Sequence, residues 1–145
     1  MMGKPIAPAD NMAFAFPDIC LTTIPPAGPV PIPYPNIAQL ADAQDISDES
    51  NKELLVGGKH VLLQISSVGS SSGAEPADPS SGVTSGAQNG VCYFAQYSGS
   101  VLYGSQSAGI VRFMDATEQN AVAKDSPGNA KGMVLASNPS VLVGD

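Results

Sequence analysis

The sequence predicts a mainly β fold: short hairpins and extended proline-rich segments, with one short helix. Three observations carry that reading. Fifteen glycines and thirteen prolines in 145 residues punctuate the chain too often for long helices and favour short strands joined by turns. Six prolines fall between Pro25 and Pro35, four of them (Pro29, Pro31, Pro33, Pro35) on alternate residues. Each fixes φ near about −65° and removes a backbone donor, so this segment is neither helix nor central strand. Finally, the phrase Leu54-Leu55-Val56-Gly57 returns as Val101-Leu102-Tyr103-Gly104 and as Val141-Leu142-Val143-Gly144.

The elements follow in order. Residues 1–13 are small, polar and proline-bearing and read as a loose N-terminal arm. Residues 14–35 read as a stiff extended rod in which Val30, Ile32 and Tyr34 sit between prolines, a shape suited to being laid against a partner. Asn36 is placed to cap a short helix through Ala38-Gln39-Leu40-Ala41-Asp42-Ala43. The acidic run Asp42, Asp45, Asp48, Glu49, Glu53 reads as a solvated connector and lacks the alternating spacing of a calcium loop. Gly57-Gly58 then supplies a tight turn, with Val61-Leu62-Leu63-Gln64-Ile65 returning. A longer turn over 104–109 leads from the second phrase into Ile110-Val111-Arg112-Phe113.

Of the 25 residues from 66 to 90, 13 are Ser or Gly, which reads as a long surface loop within one domain spanning 1–145. Val91-Cys92-Tyr93-Phe94-Ala95-Gln96-Tyr97 has apolar residues on both faces and reads as a central strand. Residues 116–132, rich in Ala, Asn, Gly and Lys, read as a second polar loop. The three apolar phrases, 47 and 40 residues apart, are too irregular for a solenoid but suggest approximate threefold symmetry.

Charge narrows the function classes. The formal net charge is −7, and the six cations (Lys4, Lys52, Lys59, Arg112, Lys124, Lys131) are scattered. Without a basic stripe, neither nucleic-acid phosphates nor anionic membranes are expected partners. No apolar run approaches the roughly 20 residues of a bilayer span, and the N-terminus lacks a secretory core. The chain is therefore expected in the cytoplasm unless a dedicated machine exports it. Cys20 and Cys92 are too few for a disulfide scaffold and read as buried thiols.

Catalytic signals are sparse. His60 is the only histidine, and pairing it with Cys20 or Cys92 would be needed for a nucleophilic dyad. No nucleophile elbow or phosphate-cradling glycine motif occurs. The expectation is a non-enzyme; the alternative is a small enzyme or ligand-binding β domain using His60 with one thiol.

Phe16-Pro17-Asp18-Ile19-Cys20-Leu21-Thr22, followed by Pro31-Ile32-Pro33-Tyr34-Pro35-Asn36-Ile37-Ala38, resembles the opening of PAAR-like spike-tip proteins of type VI secretion and related contractile injection systems. The resemblance continues through Val56-Gly57-Gly58-Lys59-His60-Val61-Leu62-Leu63, the serine-rich Ser71-Ser72-Gly73-Ala74-Glu75, Gly82-Val83-Thr84-Ser85-Gly86 and Ile110-Val111-Arg112-Phe113-Met114-Asp115. It implies a cone- or pyramid-shaped domain whose base meets a trimeric VgrG-like spike protein, one copy per trimer, with effector cargo as a further partner. It also implies export at the tip of the apparatus, where the domain sharpens the spike for membrane puncture. Val30, Ile32 and Tyr34 are the expected spike contacts. With the chain ending after the third phrase, no toxin domain is expected to follow, or else a toxin has been removed. Such proteins commonly hold zinc near the apex through His and Cys. Here Cys20 is present, but the places around and after the Arg112 strand read Val111, Phe113, Gln119 and Asn120, so a metal-free variant is expected.

Overall fold

The computed structural model describes residues 3–47 and 53–145. The strands are β1 (Lys4–Ile6), β2 (Met12–Ile24), β3 (Gly28–Gln39), β4 (Ala43–Gln44), β5 (Leu55–Val56), β6 (Lys59–His60), β7 (Ser67–Val68), β8 (Val91–Phe94), β9 (Leu102–Tyr103), β10 (Ala108–Gly109), β11 (Ala116–Ala121), β12 (Ala130–Val134) and β13 (Asn138–Val143). The fold is mainly β, and its one helical element among the described residues is a 3-10 turn over Leu40–Asp42. The helix expected after Asn36 is thus shorter and later, because Asn36 is buried inside β3 and spends its side chain there. Asp48, Glu49 and Lys52 of the acidic connector lie outside the described residues.

One seven-stranded antiparallel sheet has the order β3-β2-β12-β11-β8-β7-β4. The expected single rod over 14–35 is instead a hairpin: the chain turns at residues 25–27 and β3 runs back along β2 from Ile24↔Gly28 to Met12↔Gln39. Pro17 is tolerated in the inner strand because the register shifts between Ala15 and Asp18, a bulge that relieves it of a ladder bond.

The alternate prolines fit β3 for a specific reason. Backbone groups of Ile19 and Leu21 turn away from β3, toward the 78–83 loop: Leu21 N donates to Ser81 O at 3.0 Å, and Asp78 N and Val83 N donate to Leu21 O and Ile19 O. Asp18, Cys20 and Thr22 therefore face β3 and pair with Tyr34, Ile32 and Val30. Pro29, Pro31 and Pro33 fall at the intervening positions, where a strand's N–H would point out of the sheet. The next outward amide, on Ile37, donates to Ser72 O at 2.9 Å. This outer edge thus offers no free donor from Pro29 to Ile37.

Residues 116–132, expected as one polar loop, instead supply β11 and most of β12, and only 122–129 connect them. β8 lies between β11 and β7, inside the sheet, with Cys92 and Phe94 buried and Val91 and Tyr93 half-buried. The 66–90 segment is a loop apart from β7, but it is closely held. Gly73, at φ +121°, brings its backbone so near Pro35 that a Cβ would stand 2.1 Å from the Pro35 carbonyl.

The expected loose arm is a structural member. β1 pairs with β13, Lys4↔Val143 and Pro5↔Leu142, and Ala7 is fully buried. This supplies the return strand that the third apolar phrase lacks locally. The first two phrases therefore sit in the hairpins β5–β6 and β9–β10, and the third in the antiparallel pair β13–β1, which joins the two ends of the chain and takes the place of a third hairpin.

The segments beyond these hairpins, 5–9, 60–64 and 109–113, close a ring. Ala7 N donates to Val111 O, Val111 N to Leu62 O and Leu62 N to Ala7 O, each at 3.1 Å. A second cycle links their ends: Ala9 N to His60 O at 2.7 Å, Gln64 N to Gly109 O at 2.7 Å and Phe113 N to Pro5 O at 2.8 Å. The bridges Pro8↔Val61, Leu63↔Ile110 and Arg112↔Ile6 permute the same way. Stepping from one segment to the next maps every bond onto another, so the ring has approximate threefold symmetry.

Side-chain alternation gives the ring two faces. Ala7, Leu62 and Val111 enter a core with Ala13, Ala38, Leu40, Val68, Cys92, Phe94 and Val134 under the sheet. Ile6, Val61 and Ile110 enter a second core with Val56, Leu63, Ala108 and Val143 under the hairpins.

Candidate functional site

The hairpins repeat one surface feature. In each, the second residue of the apolar phrase pairs with the first residue of a ring segment: Leu55↔His60, Leu102↔Gly109 and Leu142↔Pro5. The third phrase residue turns inward, with Val56 and Val143 buried and Tyr103 packed on the same core. Alternation sends each leucine outward, 45%, 49% and 62% exposed respectively. Val101 and Val141, beside two of them, are also exposed. Three large apolar side chains thus occupy corresponding places around the ring.

Arg112 and Asp115 fix the third hairpin to the ring. The Asp115 carboxylate is fully buried and accepts from Arg112 N at 2.9 Å, Nε at 2.9 Å and Nη2 at 3.1 Å. Lys4 Nζ of β1 adds a bond at 2.8 Å. Arg112, 3% exposed, also donates Nη1 to Gly144 O at 2.9 Å and approaches Asp145 Oδ1 at 3.5 Å. One charge cluster thereby gathers both strands of the β13–β1 hairpin. Hydrogen bonding to Asp115 holds the Arg112 guanidinium above its ordinary pKa, against the opposing effect of burial.

Val30, Ile32 and Tyr34 lie half-buried on β3 between exposed prolines. Tyr34 packs on Cys20, Ala74 and Ala77, and its hydroxyl shares a 2.5 Å hydrogen bond with Thr22 Oγ1. His60 Nδ1 lies 2.7 Å from Ser47 O, at the β5–β6 hairpin. Cys92 sits in the core beneath the sheet, where burial pushes its thiol up to about 12. Cys20 lies in the small third core, bonded to Asp18. The two thiols thus lie in different cores and His60 in neither, and no hydrogen bond joins His60 to a thiol to make a dyad.

Of the places where the resemblance would put zinc ligands, Cys20, Gln119 and Asn120 converge, but around a carboxylate, while Val111 enters the core under the sheet and Phe113 ends a ring segment against Pro5. Asp18, fully buried, accepts at Oδ1 from Asn129 Nδ2 at 2.6 Å and Asn120 Nδ2 at 2.9 Å, with the Cys20 thiol at 3.6 Å. Its Oδ2 accepts from Asn36 Nδ2 at 3.3 Å. Gln119 Nε2 donates to Asn36 Oδ1 at 2.8 Å, and its own Oε1 accepts from Thr117 Oγ1 at 2.7 Å. Zinc takes thiolate, imidazole or carboxylate ligands, usually four of them in a structural site. This centre offers one thiol and one carboxylate. Burial, then the neighbouring Asp18 charge, pushes the thiol up to about 11, so it stays protonated at neutral pH. The carboxamides present N–H donors to Asp18. Ser81 Oγ, next to Cys20, is the one buried side-chain oxygen among the described residues without an ordinary hydrogen bond, and a lone hydroxyl completes no zinc set. Among the described residues no three His, Cys, Asp or Glu side chains gather as a metal site. The residues do not fit zinc.

Sequence reasoning missed Asp18, Asn36, Asn129 and Asp115 as central residues. Asp18 stands in the most distinctive motif, but its amide partners lie in segments that read as loops. A family model described as "Toxin PAAR-like domain" matches residues 11–126, most of the chain. Comparison with curated proteins and with solved structures gave no match.

Proposed function

Because the chain belongs to the PAAR-like toxin-domain family, associated with the spike tips of type VI secretion systems, we propose that it caps a trimeric VgrG-like spike as a single copy, through the hairpin face of its threefold ring. The observation that carries this is the repeated exposed leucine: Leu55, Leu102 and Leu142 at corresponding pairing positions of three hairpins. A chain with internal threefold repetition can offer each subunit of a trimer a similar contact, whereas an asymmetric patch would satisfy only one. The third hairpin is built from β1 and β13, outside residues 11–126, so the hairpin face needs both flanks of the matched region. No helix among the described residues is long and apolar enough to cross a membrane. The role is mechanical: the tip travels with the spike as the apparatus exports it and aids membrane puncture, with any effector cargo delivered alongside.

Val30, Ile32 and Tyr34 are less suited to spike contact than the leucines. Their side chains are half-buried, and the edge of β3 beside them lacks the donors that strand addition would use.

Replacing Leu55, Leu102 and Leu142 together by Ala tests the assignment. Full burial of a leucine is worth about 1.5–3 kcal/mol, and each is roughly half exposed, so docking gains about 1 kcal/mol from each. The triple variant should bind the spike on the order of 100-fold more weakly while melting near the parent temperature. Unchanged spike affinity would refute the docking face.

A further inference from the structure

The polar centre around Asp18 draws together segments far apart in sequence, and nothing in the docking face accounts for it. Asn36 comes from β3, Asn120 from the bulged end of β11 and Asn129 from the turn into β12, while Asp18 and Cys20 lie on β2. Each amide also has a second tie. Asn120 Nδ2 donates to Ala87 O at 3.0 Å, and Asn120 Oδ1 accepts from Gly90 N at 2.8 Å. Asn129 Nδ2 donates to Ile19 O at 2.8 Å, and Asn129 Oδ1 accepts from Thr84 N at 2.7 Å and Ser85 N at 3.1 Å. Asn36 Nδ2 donates to Ser71 Oγ at 2.8 Å, and Ser71 Oγ donates onward to Gly90 O at 2.8 Å. The 66–90 loop is therefore pinned at residues 71, 84–85, 87 and 90 by side chains that themselves hold, or are held by, Asp18.

Among the described residues, no Lys or Arg ion pair reaches this carboxylate. Neutral amides do the work instead. Each carboxamide has separate donor and acceptor ends, so one end can hold Asp18 while the other holds loop backbone. A buried carboxylate that accepts several N–H bonds is well matched, and losing it would leave those donors facing one another without an acceptor.

We propose that this amide-caged carboxylate is the cross-link that a metal ion would otherwise supply, and that it fastens the proline ribbon and the 66–90 loop to the sheet without metal. The stability of the chain then does not depend on zinc supply.

The test uses the full chain, expressed with zinc in the medium, incubated with zinc chloride and desalted. Elemental analysis should find well under one zinc per chain, and a chelator should leave the melting temperature unchanged. Asp18→Asn should lower that temperature by about 5 °C or more in metal-free buffer, because it turns an acceptor toward donors as a donor. If Asp18→Asn does not fold, Asn129→Ala, on the half-exposed side of the cage, should melt lower than the parent and should speed proteolysis within 66–90. Retention of one zinc per chain, or a fall in melting temperature with chelator, would overturn the proposal. So would an Asp18→Asn or Asn129→Ala variant as stable and as protease-resistant as the parent.

Discussion

Asp115→Asn isolates what the charge cluster contributes to the third hairpin. The substitution keeps the size of the side chain but removes the charge that Arg112, 3% exposed, was folded around. Breaking a buried pair from one side costs roughly 3–5 kcal/mol, because the remaining charge stays buried without compensation. Here the low end applies: Arg112 keeps Gly144 O and the Asp145 carboxylate, and the half-exposed Lys4 can turn to water. A loss of about 3 kcal/mol corresponds to a fall of roughly 10 °C in melting temperature for a chain of this size. The assay is thermal unfolding followed by circular dichroism at neutral pH. The double variant Arg112→Met with Asp115→Leu provides the internal control. Replacing both members of a buried pair by apolar groups is often neutral, so it should recover at least half the loss. An Asp115→Asn variant melting within about 2 °C of the parent would refute this reasoning. A double variant no better than the single would refute it as well.

Two further predictions concern the thiols and the sheet edge. Cys20 and Cys92 have pKa values raised from 9.0 to about 11 and about 12, so above pH 9 the unfolded chain loses thiol protons that the folded chain keeps. The stability they provide is full below pH 9 and is lost as pH rises toward 11–12; for the deeply buried Cys92 the slope approaches ~1.4 kcal/mol per pH unit. Cys92→Ala should flatten that alkaline fall in melting temperature, and an unchanged pH profile would contradict the assignment. Pro31→Thr with Pro33→Thr restores two outward N–H donors on β3, so the variant should self-associate on size exclusion at concentrations where the parent does not. A variant that elutes as the parent does would show that the prolines do not silence this edge.

The repeated apolar phrases made the first two hairpins legible in the sequence, because each phrase carries its own alternation and is followed by a glycine turn and a return strand. The third pairing was not legible, since Leu142 pairs with Pro5 and nothing local signals a contact across nearly the whole chain. Alternate prolines marked β3 as unfit for the inside of a sheet, but not that the chain would fold back on itself at residues 25–27 to place it at the edge. The Asp18 centre stayed hidden because carboxamides are ordinary loop residues by composition. Asn36 reads equally as a helix cap, and Gln119 and Asn120 read as absent metal ligands. Only the convergence of β2, β3 and β11 reveals that these amides are spent on one buried carboxylate.

The central claim, that one internally threefold chain caps one trimer, is tested most directly by mixing the chain with a trimeric VgrG-like spike protein and weighing what forms. Native mass spectrometry should give a single copy of this 14.7 kDa chain per spike trimer, at every excess of the chain. Three copies per trimer, or a chain that ignores the spike at micromolar concentration, would contradict it.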